Sequence, residues 1–162
     1  MRIFVDTEFT DLWAPELISV GLATQCDARL YVEIAPDPAG NTGWIPAGCS
    51  RFVREAVIPL LHGGRFALTR QAASERILTW LESFPDSIEL VADSAVDFHL
   101  LHALWGDARK PRNLIAEQVT AMPRGRALLR NDSIRQGLRR HHALDDAIAL
   151  MRGAELQPAL PA

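Results

Sequence analysis

Apolar and polar residues alternate with two different periods along this chain. Alternation at every second residue and short β-branched apolar runs predict strands, whereas spacing of three to four residues predicts helices. The predicted strands are residues 3–6, 16–23, 29–34, 88–92 and 113–119. The link between the second and third strands contains Cys26, Asp27 and Ala28, and it is short enough for a hairpin. The first three strands are therefore expected to be antiparallel neighbours.

Helical spacing accounts for most of the remaining chain beyond a Pro- and Gly-rich loop at residues 36–48. The predicted helices are residues 50–61, broken near Pro59, residues 69–84, capped by Thr69, residues 96–105, ended by Gly106, and residues 143–152. Strands followed by alternating helices and strands predict an α/β fold, with a mixed five-stranded sheet and helices on both faces. We expect a single domain over residues 1–155 and a frayed tail at residues 156–162.

The composition and net charge limit the classes of protein to which this chain can belong. The chain has 162 residues and a net charge of −3, whereas proteins that bind duplexes along their length are usually basic. This balance is compatible with an enzyme that holds only the end of a strand. The two cysteines lack metal-site spacing, the first residues do not resemble a signal peptide, and no apolar run approaches the roughly 20 residues that span a bilayer. A cytoplasmic protein without membrane contact is expected.

The first candidate chemical group ends the first predicted strand. Asp6 and Glu8 are two residues apart, so their side chains point to the same side of a strand. Crowded carboxylates repel one another, and Mg²⁺ or Mn²⁺ is the natural partner for such hard oxygen ligands. Taken alone, this pair is more often a solvated strand end.

The second group follows the strand at residues 88–92. Asp97 falls near the start of the next helix, where an ordinary acid would also be favoured by the helix dipole. Asp93 is a competing candidate, although a cap or turn role suits it better. His99 and His102 could share one helix face, but solvated or hydrogen-bonded histidines are the better interpretation.

The third group supplies histidines and then acids at the start of the last predicted helix. These residues are His141, His142, Asp145 and Asp146. An imidazole can take a proton from water near neutral pH. Adjacent residues on a helix point about 100° apart, so only one of the two acids can face a common site. Acids at a helix start also have a purely structural explanation.

Together the three groups resemble the exonuclease motifs of the DEDDh superfamily, which contains ribonuclease T, oligoribonuclease and proofreading subunits of DNA polymerases. The first motif is similar to Asp-Thr-Glu-Phe at residues 6–9, and the second to Asp97 with Leu101 four residues later. The third pattern, His-x-Ala-Leu-x-Asp-Ala, matches residues 141–147. Residues 6–9 with residues 16–21 further resemble a small bacterial exoribonuclease subgroup.

The spacing within the resembled third motif selects His141 over His142 and Asp146 over Asp145. One position departs from the pattern. Many relatives carry Asn four residues before the second-motif aspartate, where this chain has Asp93. The departure adds a negative charge near the expected site.

The resemblance implies a ribonuclease-H-like fold and a 3′→5′ exonuclease that releases nucleoside 5′-monophosphates. Its substrates would be single-stranded RNA or short oligonucleotides, with single-stranded DNA as a further candidate, and homodimers are common among relatives. Two divalent ions, Mg²⁺ or Mn²⁺, would lie about 4 Å apart. Their ligands would be Asp6, Glu8, Asp97 and Asp146, and His141 would be the general base. The alternatives are an inactive nucleic-acid-binding or interaction module of the same fold and a phosphoester hydrolase acting on small nucleotides.

Substrate contacts are predicted from basic and aromatic residues. A basic stretch precedes the third motif and contains Arg124, Arg126, Arg130, Arg135, Arg139 and Arg140. We expect Arg124, Arg126 and Arg139 to bind phosphates, and a solvated charged surface is an equally weighted alternative. Phe9, Trp13 or Trp44 could stack on a terminal base, although packing is favoured for each of them.

Overall fold

A computed structural model describes residues 1–106, 109–120 and 137–155 and places a mixed six-stranded sheet at the centre of the molecule. The strands are β1 (Arg2–Phe9), β2 (Leu17–Thr24), β3 (Arg29–Ile34), β4 (Ala67–Leu68), β5 (Ile88–Ala92) and β6 (Leu114–Val119). Their order across the sheet is β4-β3-β2-β1-β5-β6. The predicted antiparallel pairing of the first three strands is confirmed, while β5 runs parallel to β1, and β6 parallel to β5.

In the described part of the chain, three α-helices cover the sheet: α1 (Arg70–Glu82), α2 (Ala95–Trp105) and α3 (Ala143–Glu155). The predicted cap of α1 is confirmed, because the Thr69 hydroxyl accepts a hydrogen bond from the Ala72 N–H at 3.3 Å. Gly106 ends α2 with a φ of 76°, a conformation that favours glycine. The side chain that caps the start of α2 is that of Ser94, and Asp93 lies at a bend directly before it, so only the cap half of the cap or turn role predicted for Asp93 is wrong.

Two features of the predicted architecture need correction. The sheet has six strands rather than five, because the two-residue strand β4 adds to β3 at the edge and is too short to produce a periodic pattern. The helix predicted at residues 50–61 is present as a helical segment over residues 51–60 that changes type next to Pro59, but most of the segment is not α-helical. It contains a π-helical turn at Val53–Val57 and a 3₁₀ turn at Ile58–Leu60, where Pro59 has no N–H to continue an α-helix.

Side-chain alternation along β1 divides the molecule into two apolar layers. Ile3 and Val5 belong to the larger core, which includes residues of α1 and α2, whereas Phe4 packs with Ile148 and other residues of α3 on the opposite face. Helices therefore lie on both faces, as predicted. Asp6 and Glu8 share the parity of Phe4 and so lie toward α3.

Neither cysteine takes part in a disulfide within the described residues. Cys26 and Cys49 are both free. No helix in the described ranges is both long enough and apolar enough to cross a membrane. The predicted frayed tail at residues 156–162 lies outside the described residues.

Candidate metal-binding site

The site lies where β1 and β5 end and where α2 and α3 begin. β1 and β5 are parallel neighbours, so their carboxyl ends meet at one edge of the sheet. The pairing of β1 with β2 shifts register between Glu8 and Phe9, which is the kind of irregularity that re-aims side chains next to functional sites. The three predicted motifs therefore converge at this edge.

A glycine allows α3 to approach the sheet. Gly21 on β2 pairs with Asp6 on β1, and a Cβ atom at Gly21 would lie 2.3 Å from the carbonyl carbon of Ala143 and from the backbone nitrogen of Leu144. Any side chain there would collide with the backbone at the start of α3. Gly21 thus brings the first turn of α3, which carries Asp146, close to Asp6.

Asp97 enters from α2 and is held by a residue of the first motif. Its Oδ1 atom accepts hydrogen bonds from the Thr7 backbone N–H at 3.0 Å and from the Thr7 hydroxyl at 2.6 Å. Its Oδ2 atom is buried and has no hydrogen-bond partner in the described part of the chain. Buried carboxylate oxygens are normally satisfied, so this atom indicates a missing partner.

Asp146 and His141 hold each other through the backbone. The His141 N–H donates to Asp146 Oδ2 at 2.8 Å, and His141 has a φ of 64°, which is uncommon for a residue with a side chain. The edge of the His141 ring meets the Phe52 ring with 4.8 Å between ring centroids. Ligand atoms of Glu8, His141 and Asp146 lie within 4.8 Å of one another.

Burial and mutual repulsion perturb the acids of this site. The pKa of Asp6 is raised well above its usual value by burial and then by Asp97, Asp146, Glu8 and Asp93. Burial, with Asp146 and Asp97 next, raises the pKa of Glu8 to about 8. The structure therefore brings the four predicted ligands into one electrostatic cluster.

The two helix acids and the histidine show smaller changes. Burial raises the pKa of Asp97 to about 6 against the opposing effect of the Thr7 hydrogen bonds. Burial likewise raises the pKa of Asp146 to about 6, against the hydrogen bond from the His141 backbone and the charge of Arg140. Burial and then Arg140 lower the pKa of His141, which favours the neutral imidazole at pH 7.

These residues fit a divalent cation. Four crowded carboxylates supply hard oxygen ligands, and a cation would relieve both their repulsion and the unpaired Oδ2 of Asp97. The imidazole of His141 lies close enough to act on a molecule bound among them. The arrangement can therefore concentrate positive charge beside a neutral base.

The two neighbouring acids of α3 face different surroundings, as the resemblance implied. Asp145 Oδ2 accepts hydrogen bonds from the Arg139 backbone N–H at 2.9 Å and from Arg139 Nε at 2.8 Å. Arg139 Nη1 lies 3.0 Å from His62 Nε2. His142 is buried and stacks on Tyr31 with 4.4 Å between ring centroids. Arg139, a predicted phosphate contact, is thus bonded within the protein.

The other predicted substrate contacts differ in how far they are buried. Phe9 is half-buried against the larger core, and Trp44 is buried with its indole N–H donating to the Ile34 carbonyl at 2.7 Å. Trp13 lies in the loop between β1 and β2 and is 95% exposed, so the expectation that it packs is wrong. Four of the predicted basic residues lie outside the described residues: Arg124, Arg126, Arg130 and Arg135.

The histidines of α2 agree with the simpler interpretation. His99 is exposed, and His102 Nε2 lies 2.6 Å from Glu117 Oε1 on β6. In the described part of the chain, neither histidine belongs to the cluster of Asp6, Glu8, Asp97 and Asp146 or to the group that includes His141.

Three residues important for the geometry were missed by sequence reasoning: Thr7, Gly21 and Phe52. A glycine inside a buried strand often marks a close backbone approach, so the position of Gly21 carried a usable signal. Thr7 and Phe52 carried none, because a hydroxyl that orients a distant aspartate and a ring that meets His141 depend on tertiary packing alone.

Comparison with known proteins supports the fold through structure alone. No model of a known protein family matches the sequence, and no curated protein matches it. Among solved structures, the chain is similar to S. pombe Pop2p in its Mg²⁺- and Mn²⁺-bound form, with a TM-score of 0.61 and 12% sequence identity. The alignment covers 94% of this chain and 81% of the Pop2p chain. The predicted ribonuclease-H-like α/β fold is therefore confirmed.

Proposed function

We propose that this chain is a metal-dependent 3′→5′ exonuclease of the DEDDh superfamily, within the small bacterial exoribonuclease subgroup that its first motif resembles. One observation carries the proposal. Acids from three separate elements crowd one another beside His141: Asp97 is buried, and Asp6, Glu8 and Asp146 are partly buried. Such a group is costly to maintain in a folded protein without a cation.

Two divalent ions, Mg²⁺ or Mn²⁺, would be held by Asp6, Glu8, Asp97 and Asp146. When bound, such ions neutralise charge on a phosphodiester and polarise the attacking and leaving oxygens. The similarity to Pop2p, solved with the same two kinds of ion, supports this choice of metal. The carboxylates are already oriented, because Thr7 fixes Asp97 and the His141 backbone fixes Asp146.

The residues of the chain would divide the hydrolysis between them. A water oxygen attacks the last phosphodiester of the strand, and its proton passes to the neutral ring of His141. The bond from phosphorus to the 3′-oxygen breaks, the shortened strand keeps that oxygen, and a nucleoside 5′-monophosphate leaves. The lowered pKa of His141 keeps it ready to accept the proton near pH 7.

The substrate proposed for the site is single-stranded RNA or a short oligonucleotide, with single-stranded DNA as a second substrate. The net charge of −3 supports a grip on the strand end rather than along a duplex. A homodimer and a role in cytoplasmic RNA processing belong to the same proposal and rest on the resemblance of the motifs.

The test is a degradation ladder on 5′-labelled single-stranded RNA and DNA of equal sequence, run with Mg²⁺, with Mn²⁺ and with chelator. We expect a metal-dependent ladder of single-nucleotide steps. His141→Ala should lower turnover by about 10²–10⁴-fold while Mn²⁺ affinity changes little. His99→Ala, which removes an exposed histidine from α2, is the matched control and should retain full activity.

The other functions give distinct results. A folded protein that binds oligonucleotides but cleaves none with either metal would identify a binding module. Hydrolysis confined to mononucleotides or dinucleotides would identify a small-nucleotide hydrolase. Either result contradicts the exonuclease.

A further inference from the structure

We propose that Arg139 is a positioning residue that fixes the loop carrying His141, rather than a contact for substrate phosphate. The inference rests on the proposed function, because it assigns a role to the loop that presents the general base. Sequence position alone suggests the opposite role, since Arg139 and Arg140 end a run of arginines that leads to His141.

Arg139 donates hydrogen bonds to Asp145 from both its backbone and its side chain. The backbone N–H and Nε both donate to Asp145 Oδ2, at 2.9 and 2.8 Å. One oxygen thus fixes the main chain and the side chain of a residue only two positions before His141. The Asp145 side chain is 12% exposed, so this charge-assisted bond is partly shielded from water.

A second set of bonds connects Arg139 to the central sheet. Arg139 Nη1 lies 3.0 Å from His62 Nε2. The backbone N–H groups of His62 and Gly63 donate to the two oxygens of Glu33, at 2.6 and 2.9 Å, and Glu33 is buried on β3. The hydrogen bonds therefore run from a strand through His62 to the loop.

The loop requires such support because of its backbone. His141 has a φ of 64°, and a residue with a side chain keeps such a conformation only when its surroundings determine it. Asp146 accepts the His141 N–H, and Asp145 accepts Arg139. The two adjacent acids of α3 thus hold the loop at two points, one on the side of the site and one behind it.

A second arginine makes the same kind of contact far along the chain and provides a control. Arg112 directs its backbone N–H and Nε to Glu82 Oε1 at 3.2 and 3.4 Å, and the Arg112 side chain is 87% exposed. Arg112 precedes β6 and has no contact with the His141 loop among the bonds described. A change in activity from Arg139 alone would therefore reflect its position and not the loss of an arginine.

The experiment compares Arg139→Gln and Arg112→Gln in the full chain, measuring kcat and KM on a 5′-labelled oligonucleotide at several salt concentrations. For Arg139→Gln we expect kcat to fall about 10–100-fold, the range for residues that orient a metal site, with KM changed less than about twofold. Arg112→Gln should match the wild type. A raised KM with unchanged kcat, and a salt slope reduced by about one, would assign Arg139 to phosphate binding and overturn the proposal.

A double-mutant cycle with Asp145→Ala, which removes the acceptor oxygen, tests the same bond from its other partner. If Arg139 acts through Asp145, the double variant should lose no more kcat than the more severe single variant. Additive losses would contradict this mechanism. The cycle also remains informative if one single variant folds poorly, because the other removes the same bond.

A readout independent of catalysis separates failure of this inference from failure of the proposed function. The ¹H–¹⁵N resonance of the His141 amide should shift in Arg139→Gln and remain in place in Arg112→Gln. An unmoved resonance overturns the positioning role even in an active enzyme. A shifted resonance in a protein without nuclease activity would support the role of Arg139 in the loop while rejecting the exonuclease.

Discussion

Two buried carboxylates in this molecule have opposite surroundings. Glu33 on β3 is 2% exposed, and each of its oxygens accepts a backbone N–H from the segment that follows the 3₁₀ turn at Ile58–Leu60. Asp97 on α2 is 3% exposed, and among the described residues only its Oδ1 atom has a hydrogen-bond partner. The charges that act on Asp97 are those of Asp6, Glu8 and Asp93. Two carboxylates that are equally buried therefore differ in whether both of their oxygens are hydrogen-bonded.

The difference matches what we expect of a carboxylate that stabilises the fold and of one that binds the proposed metal. The bonds of Glu33 are complete within the protein, so its charge stabilises the turn that it holds. The charge of Asp97 is opposed by burial and by other acids until a cation arrives. Four predictions test this contrast, beginning with the largest expected effect.

Asp97→Asn should remove activity and leave the fold intact. The amide keeps an oxygen for the Thr7 donors but offers no anionic ligand. We expect a loss of more than about 100-fold in exonuclease rate, since even partners one shell removed from a metal contribute 10–100-fold, and a weaker Mn²⁺ affinity. The metal-free melting temperature should stay level or rise, because repulsion among the acids falls. Asp146→Ala should also abolish both activity and metal binding, and full activity in either variant would reject the site.

Gly21→Ala should damage the site by moving α3 rather than by changing an acid. The new methyl group would lie 2.3 Å from backbone atoms of Ala143, so the first turn of α3 must move away from β1. We expect a stability loss of about 1–3 kcal/mol in chemical unfolding, as for other overpacked cores, together with a loss of nuclease rate. Gly48→Ala is the control, since nothing lies within 4 Å of a Cβ there. Wild-type activity and stability in Gly21→Ala would show that the close approach is unimportant.

These results would also test how far a sequence can determine such a site. The pairing of the first three strands follows from local patterns, and the choice of the four acids follows from the resemblance of the three motifs; the structure has this pairing and brings the four acids into one electrostatic cluster. The short strand β4, the turn at Val53–Val57 and the bonds of Arg139 do not follow from local patterns. Two of them depend on partners more than 25 residues away, β3 for Ala67 and His62 for Arg139, which periodicity does not encode.

Glu33→Gln should lower stability whether or not metal is present. Glutamine offers one acceptor oxygen in place of two, so one of the N–H groups of His62 and Gly63 loses its partner. We expect a loss of about 1–3 kcal/mol in urea unfolding, the cost of an unsatisfied buried group. Glu89→Gln, which removes only a partly exposed ion pair with Arg2, should cost less than about 1 kcal/mol. A loss that Mg²⁺ reverses would place Glu33 with the metal site and break the comparison.

The smallest expected effect is a dependence of metal stabilisation on pH. The pKa of Glu8 rises from 4.5 to about 8, and the pKa values of Asp97 and Asp146 rise from 3.8 to about 6. Stability from groups with raised pKa values is fully present below their unfolded pKa and is lost as pH rises through the folded pKa, because the unfolded chain releases its protons first. The contribution of these three acids to metal-free stability should therefore fall between about pH 4 and pH 8.

A divalent cation should offset that loss, because it binds the ionised carboxylates and releases the protons that they hold. The increase in melting temperature produced by saturating Mg²⁺ should be greater at pH 8 than at pH 5.5 by about 2–4 °C, which corresponds to roughly 1 kcal/mol in a domain of this size. Asp97→Asn should reduce the difference between the two pH values, whereas Glu33→Gln should preserve it. An equal Mg²⁺ effect at both pH values would mean that the acids are already ionised in the metal-free fold, and the contrast between Asp97 and Glu33 would then rest on hydrogen bonding alone.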